Sequence, residues 1–417
     1  MLTRRRFLLR AGALTAGGVA AAVGLDRGLD RSSDIPAVAL GVQPAGLPQR
    51  QHAWTATLDR DSFGNPIAPR YDRLLFFDVR GTPTRASARL LEAALRTLER
   101  TFRWGPSGLL FTAGWGPAYF ERSLGTASPI PPAKALSDIE LPTLDAYALC
   151  LHLACDDEQR LAAIEAALVG TERLTGADGP LEVSSALRWR ETRTGFVGAG
   201  LPAQHQDVGG IPSGSPVPQA SPLFMGFKSG LRKNQATEDY VTIADGPFAE
   251  GTTMQVSYMR LRLASWYGQL GLRERVALMY APQVTPAQVE RFTTDASSDP
   301  SLLGQAINRY GVIGHAQASA RARRNGKPLI IRRDFDTVDG GQAGLHFVSI
   351  QRTIEDFVTT REAMNASTAQ LENPAITDTV NNGINAFTFV LKRANYILPP
   401  RRERSFPLLP GRASALV

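Results

Sequence analysis

Residues 314–351 carry the side chains of this sequence that are best suited to chemistry. His315 is a candidate metal ligand, and four cations follow it between positions 321 and 327. Two apolar segments, residues 329–331 and 345–350, have the composition of β-strands, and the first ends in Arg332 and Arg333. A metal ligand, a group of cations and two core strands in one short stretch are what a site for an anionic, iron-bearing cofactor requires.

Each of these residues also has an ordinary structural explanation. His315 could be a surface or helix-capping residue, and residues 321–327 have the composition of a solvated helix face. Arg333 could be an exposed residue at the end of a strand. The chemical interpretation therefore requires a fold that brings His315 and the arginines to one cavity.

The net charge argues against a nucleic-acid partner. The chain of 417 residues has a formal net charge of +7, and Arg4, Arg5, Arg6 and Arg10 lie in a leader without acidic residues. Subtracting these four charges from +7 leaves +3 for the rest of the chain. That remainder is too small for a surface that follows a phosphate backbone.

Residues 1–30 have the form of a twin-arginine export signal. Arg4, Arg5 and Arg6 precede Phe7, and a weakly apolar run rich in Gly and Ala covers residues 11–24. We expect export through the twin-arginine translocase to the periplasm, the cell surface or the exterior. Cleavage near residues 20–22 and retention as an anchor both stay open. The twin-arginine route carries folded proteins, often with a cofactor already inserted.

The pattern of apolar residues predicts an α+β fold. In the first half, strands are expected at residues 74–79, 108–113, 146–154 and 181–190, and helices at residues 84–102 and 156–169. The order strand, helix, strand, strand, helix, strand is that of a ferredoxin-like unit, whose antiparallel sheet is covered by two helices. The second half is predicted to contain a second α+β unit of this kind, with strands at residues 254–263, 329–333 and 345–350 and helices at residues 265–279, 286–293 and 353–365.

These elements predict a division into five parts. We expect a signal region at residues 1–30, a linker and arm at residues 31–71, one ferredoxin-like domain at residues 72–210, a second at residues 211–398, and an irregular tail at residues 399–417. A Gly- and Pro-rich stretch, residues 195–222, is a domain boundary or a surface lid.

Several motifs, taken in order over residues 73–365, resemble those of the dye-decolourising peroxidase family of haem proteins. They are Gly114-Trp115-Gly116-Pro117, Asp138-Ile139-Glu140-Leu141, Gly226-Phe227-Lys228-Ser229-Gly230, Ser257-Tyr258-Met259-Arg260-Leu261, and then His315, Arg332-Arg333 and Gly344-Leu345-His346-Phe347. The resemblance implies tandem ferredoxin-like domains of the dimeric α+β barrel type, with antiparallel sheets and helices.

The resemblance also implies the roles of individual residues. His315 matches the proximal ligand of the iron in haem b, and Arg333 matches the distal arginine beside the peroxide. Arg321 and Arg324 would then meet the haem propionates, and Phe347 would contact the haem.

The sequence departs from the family pattern in two places. After His315, Gln317 and Asn325-Gly326 stand where the family has a His-x-Arg and an Asn-Pro. Arg321, Arg323 and Arg324 would therefore substitute in binding the propionates.

The second departure is at Ser229, which stands where the family has its distal aspartate. A serine hydroxyl is a poor base, whereas a carboxylate can move a proton between the two oxygens of peroxide. The departure at Ser229 predicts a slower peroxidase, a different use of the haem, or relocation of the carboxylate to Glu238 or Asp239.

The lead hypothesis is therefore an exported haem peroxidase that reduces hydrogen peroxide while oxidising a small organic donor; a homo-oligomer stays open. The first alternative is an exported haem-binding protein with weak or no turnover, serving in haem or iron handling. The second is a haem-free, degenerate member of the family.

Overall fold

The computed structural model describes residues 46–176, 179–282, 284–286, 289, 313–365 and 382–409. The predicted signal region, residues 1–30, lies outside these ranges, as does most of the helix predicted over residues 286–293. No helix within the described ranges is both long and apolar enough to cross a membrane.

The first half forms the predicted unit of four long strands and two long helices. Thr84 caps the first long helix because its hydroxyl accepts a hydrogen bond from the amide of Ser87. The elements are β1 Tyr71–Val79, α1 Arg85–Thr101, β2 Leu110–Trp115, β3 Thr143–Leu144, β4 Leu149–Cys155, α2 Glu158–Val169, β5 Thr175–Gly176, β6 Gly179–Pro180, β7 Leu187–Phe196 and α3 Leu201–Gln204.

The second half repeats this order with additional short elements. Its helices and strands are α4 Glu238–Val241, β8 Thr252–Leu261, α5 Leu263–Gly268, α6 Leu272–Met279, α7 His315–Ala320, β9 Arg323–Arg324, β10 Lys327–Pro328, β11 Ile330–Arg332, β12 Phe335–Thr337, β13 Gly344–Gln351, α8 Ile354–Asn365 and β14 Thr388–Leu398. The single helix predicted over residues 265–279 is two helices, α5 and α6.

The two halves share one closed antiparallel sheet. Around the ring the strands follow the order β8, β13, β12, β7, β1, β4, β2 and β14, and β14 pairs with β8 again. Single residue pairs join the halves, Asp336 with Phe196 and Ile397 with Trp115. β11 and β3 add to β13 and β14 outside the ring. This arrangement confirms the prediction of tandem ferredoxin-like α+β units, whereas the domain limits at residues 210 and 211 stay a prediction.

The apolar run of strand β1 is continuous because both faces of the strand are buried. Leu75 and Phe77 pack in the cluster that includes α1 and α2, while Leu74 and Phe76 pack with residues of β8, β13 and β14. Successive side chains of a strand point to opposite faces, so both faces of the sheet are buried here. The continuous apolar run therefore marks a strand that is covered on both sides.

Strand β14 is absent from the sequence-based prediction, which assigns no element to the second domain after the helix over residues 353–365. Lys392 and Arg393 interrupt its apolar pattern. Lys392 pairs with Glu191 at 2.7 Å, and the guanidinium of Arg393 binds both carboxylate oxygens of Glu140 at 2.6 and 3.1 Å. Because both partners are distant in sequence, the pattern of β14 alone cannot reveal that these cations are neutralised.

The segment after β14 is predicted as an irregular tail, and its described part, residues 399–409, is anchored firmly to the first half. Arg401 and Arg404 are buried and form ion pairs with Glu92 and Glu99 of α1. The indole Nε1 of Trp115 donates to the carbonyl oxygen of Arg404 at 2.7 Å. The tail therefore fixes α1 and β2 to the end of β14.

We predict that Arg404→Met lowers the free energy of unfolding by about 3–5 kcal/mol, because the substitution leaves the buried Glu92 and Glu99 without their shared cation. Urea denaturation followed by circular dichroism measures the loss. The control is Arg402→Met: Arg402 forms a solvent-exposed pair with Glu403, and its loss is expected to cost about 0–1 kcal/mol. Equal losses in the two variants would contradict a structural role for the buried cluster.

Candidate functional site

A cavity of about 1040 Å³ lies where the segment before β1 meets the loops on either side of α3 and the end of β11. Its walls come from residues within 50–72, 197–239 and 331–334, with Tyr280 and Val289 on the helical side. Pockets for small molecules and cofactors commonly measure about 300–1,000 Å³. The cavity is therefore large enough for a cofactor-sized ligand.

The segment before β1, predicted as linker and arm, forms one wall of the cavity. Trp54 is buried, and its backbone amide donates to Glu238 Oε1 at 2.7 Å. The amide of Thr55 donates to the same oxygen at 2.7 Å. Farther along, Asp61 pairs with Lys228. These contacts hold the arm against the loop that carries Ser229.

Two adjacent arginines line the cavity at the end of β11. The guanidinium carbon of Arg333 lies 3.7 Å from the centroid of the Trp54 ring, and Arg333 Nη2 donates to the carbonyl oxygen of His52 at 2.5 Å. Arg333 Nη1 and Arg332 Nε are buried without a hydrogen-bond partner. Burial lowers the pKa of Arg333 to about 10 and also lowers the pKa of Arg332. These unmet donors suit an anionic or oxygen-rich ligand.

Ser229 and Asp334 meet in the wall of the same cavity. Ser229 lies close enough to the Asp334 carboxyl group for its hydroxyl to lower the pKa of that group, and Oδ1 of Asp334 is buried without a hydrogen-bond partner. Burial raises the pKa of Asp334, although the charge of Arg332 and the Ser229 hydroxyl oppose this change. A carboxyl group with an unused oxygen therefore lies beside the two arginines.

His315 is the first residue of α7, and glycines fix its position. A Cβ atom on Gly314 would lie 2.1 Å from the carbonyl oxygen of Tyr280, and one on Gly383 would lie 3.0 Å from the His315 Cα. Burial, followed by the charges of Arg332 and Arg361, lowers the pKa of His315 to about 3. The imidazole is therefore neutral at physiological pH.

The predicted site residues occupy two regions of the structure. Ser229 and Arg333 line the cavity, whereas His315 does not. Two wall residues connect His315 to the cavity: Tyr280 abuts Gly314, and Arg332 acts electrostatically on the imidazole. Of the two arginines, Arg332 is the one whose charge lowers the pKa of His315.

The other three predicted contacts lie outside the cavity wall. Arg321 is the C-terminal cap of α7. Arg324 pairs with Asp356 at 2.7 Å, and 54% of its side chain is exposed. Phe347 is half-buried, and its ring centroid lies 6.1 Å from that of Phe357.

Sequence reasoning did not assign roles to Arg332, Asp334 or Trp54. The run Arg332-Arg333-Asp334 directly after a short apolar strand is a signal that was available, because three charged residues in succession at a buried strand end need nearby partners. Trp54 carries no comparable signal. Its place in the wall depends on contacts with Arg333 and Glu238, which are far away in the chain.

Comparison with known proteins places the sequence in a family. The model of a family of unknown function, DUF7405, matches residues 69–400. The chain belongs to this family. No curated protein matches the sequence.

Solved structures show which fold this DUF7405 protein shares. Ferric DtpA from Streptomyces lividans is 19% identical, with a TM-score of 0.54 over 88% of this chain and 96% of that chain. DypB from Rhodococcus jostii RHA1 is 13% identical, with a TM-score of 0.53 over 85% and 97%. The dye-decolorizing protein from V. cholerae is 16% identical, with a TM-score of 0.51 over 84% and 98%. At these identities the likeness shows a common fold.

Asp336, two residues beyond Asp334, gives a prediction for stability. Its Oδ2 accepts a hydrogen bond from the amide of Phe224 at 2.5 Å, while Oδ1 is buried without a partner. Burial and then the nearby charge of Asp334 raise the pKa of Asp336 well above 3.8. From about pH 4 upward the folded state keeps a proton that the unfolded state has lost, so stability falls as pH rises through this range.

We predict that Asp336→Asn removes this loss, so its melting temperature rises relative to that of the unmodified protein as pH increases from about 4. The control is Asp339→Asn. Although burial works against it, hydrogen bonds from His346 and Thr194 lower the pKa of Asp339, so its carboxylate stabilises the fold above about pH 4 and this substitution should destabilise at neutral pH. Thermal melts at several pH values measure both; the same pH trend in the two variants would refute the assignment.

Proposed function

We propose that this chain binds haem b and acts as a peroxidase of the dye-decolourising type, reducing hydrogen peroxide while oxidising a small organic donor. One observation carries the proposal. The large cavity is lined by two arginines with unmet donors, and one of them, Arg332, also acts on the neutral imidazole of His315. The fold shared with dye-decolorizing proteins supports the same assignment.

The residues present fit a haem group. His315 is kept neutral by burial, so its imidazole has a lone pair for iron. The cavity has the volume for a macrocycle, and the unpartnered Arg332 Nε and Arg333 Nη1 can bind anionic groups. We assign the iron bond to His315; because Tyr280 and Arg332 separate it from the cavity, haem binding would have to displace these two side chains from their positions.

A bound haem would supply the redox chemistry of peroxide reduction. The chain supplies the surroundings. The guanidinium groups of Arg332 and Arg333 place positive charge where negative charge develops on oxygen. Trp54 orients Arg333 by stacking and excludes water from that side of the cavity. Arg321, Arg324 and Phe347 lie outside the cavity wall, so the cofactor contacts that the resemblance implies for them stay a prediction.

Export completes the proposal. The leader with Arg4, Arg5 and Arg6 would direct the folded protein through the twin-arginine translocase to the periplasm, the cell surface or the exterior. A cofactor inserted before export would travel inside the folded chain.

A second candidate is an exported haem-binding protein with weak or no turnover, serving in haem or iron handling. Ser229 favours it, because a hydroxyl stands where a carboxylate would move protons most readily. A haem-free member of the family is the third candidate. Turnover of a dye with hydrogen peroxide separates the first two candidates, and the absorption spectrum separates both from the third.

We predict that protein purified from iron-replete cells shows a Soret band, and that His315→Ala loses this band because the iron loses its protein ligand. The measurement is the visible absorption spectrum of the purified protein, with circular dichroism to show that each variant is folded. The control is His205→Ala, a histidine that stacks on Phe196 and should keep the band. A colourless folded protein would refute haem binding, and a band that survives His315→Ala would refute the ligand.

A further inference from the structure

Asp334 differs from the other acidic residues of the cavity wall because one of its carboxyl oxygens is buried without a hydrogen-bond partner. Asp334 directly follows Arg333, is half-buried and lines the cavity. The unpartnered atom is Oδ1, and the nearby Ser229 hydroxyl lowers the pKa of the carboxyl group. A buried polar atom without a partner costs free energy, so its presence at a cavity calls for a ligand or a function.

Resting on the proposed function, we propose that Asp334, oriented by Ser229, is the carboxylate that moves protons in this cavity. Asp334, at the end of β11, would thus supply the carboxylate that is missing at position 229. Ser229 is then a positioning residue, since it acts on the peroxide through Asp334.

The two carboxylates that follow Ser229 in the sequence are already engaged elsewhere. Glu238 Oε1 accepts hydrogen bonds from the amides of Trp54 and Thr55 and from the Thr55 hydroxyl, each at 2.7 Å. Asp239 is 86% exposed and pairs with Arg50. Glu238 therefore holds the arm in place, and Asp239 faces solvent.

The two acidic wall residues of the first half also have partners. Asp61 binds Lys228 and accepts from the amides of Phe63 and Asn65 at 3.0 and 2.9 Å. Asp72 binds the Nε2 atom of His152 at 2.7 Å. Among the acidic wall residues that the structure describes, Asp334 thus combines an unused oxygen with a position beside the arginines.

The proposed step is the transfer of one proton by Asp334 from one oxygen of hydrogen peroxide to the other. The O–H bond at one oxygen of hydrogen peroxide breaks as Asp334 takes the proton, and a new O–H bond forms as the same proton passes to the other oxygen. Asp334 begins and ends as a carboxylate, so no charge is gained or lost. Its raised pKa makes it a stronger base than an exposed aspartate.

The charged neighbours of Asp334 determine how it titrates. Arg332 favours the carboxylate, as does the Ser229 hydroxyl. Asp336 disfavours it, because the two carboxyl groups repel when both are ionised. Arg333, the preceding residue, lies in the same wall. The turnover should therefore rise with pH as Asp334 loses its proton.

The first test needs no haem. Infrared spectra of the haem-free protein, recorded across a pH series, should show protonated carboxyl bands that disappear at a higher pH than those of exposed carboxyl groups, and Asp334 should contribute one of them beside Asp336. The difference spectrum between the unmodified protein and Asp334→Asn isolates the Asp334 band, and Ser229→Ala should shift this band because the hydroxyl acts on the same group. Asp245→Asn, which changes an exposed aspartate outside the cavity wall, should leave it unchanged. A difference spectrum without such a band would overturn the assignment.

The second test uses the haem-loaded protein. Asp334→Asn should lower kcat for peroxide-dependent dye oxidation by about a hundred- to ten-thousand-fold, the usual contribution of general acid–base catalysis, with the Soret band retained. Ser229→Ala should lower kcat by about tenfold. Ser229→Asp should recover activity when added to Asp334→Asn, because it returns a carboxylate to the cavity.

The outcomes distinguish this inference from the function on which it rests. A Soret band in the unmodified protein together with full turnover in Asp334→Asn overturns the role of Asp334 and leaves the haem proposal standing. A missing Soret band overturns the haem proposal and, with it, the catalytic role of Asp334. Loss of turnover in Asp334→Asn with recovery in the double variant supports both.

Discussion

The burial of two neighbouring guanidinium groups is the constraint on which the rest of the site depends. A desolvated cation is costly unless surrounding groups compensate for the lost water. Arg333 is compensated by the face of Trp54 and the carbonyl oxygen of His52. Arg332 is compensated only in part. Burial lowers its pKa, and the charge of Asp334 offsets only part of this change. The donors that remain unmet belong to residues that line a cavity, so a ligand rich in oxygen or negative charge suits this part of the molecule.

The closed sheet explains how distant parts of the chain reach this cavity. β12 belongs to the second half and pairs with β7 of the first half through Asp336 and Phe196. The end of β11 therefore lies beside the junction of the halves, where the arm before β1 can cover it. The buried tail supports the other junction, that of β14 with β2, because Arg401 pairs with Glu99 of α1 and donates to the carbonyl oxygen of Pro48 in the arm at 2.8 Å.

Much of the fold could be predicted from local patterns, and most of the site could not. Leu74 to Phe77 identify a buried strand, and the spacing of Leu91, Leu95 and Leu98 identifies α1, because periodicity reports burial. The resemblance located Ser229 and Arg333, which do line the cavity. The resemblance could not show that Ser229 acts on Asp334, nor that the ring of Trp54 stacks on the guanidinium group of Arg333. Ser229 and Asp334 are 105 positions apart, and Trp54 and Arg333 are 279 positions apart. The closed sheet brings these residues together, so no local sequence pattern could predict the contacts.

The proposed function requires that one cavity holds a haem bonded to His315 and has a wall that carries Arg332 and Arg333. The most direct measurement is a crystal structure of the protein purified with its native cofactor. We expect a porphyrin in this cavity, its iron bonded to the imidazole of His315, and the guanidinium group of Arg333 across the ring plane from that imidazole. A porphyrin bound elsewhere, or a cavity without porphyrin in which Arg332 pairs directly with Asp334, would contradict it.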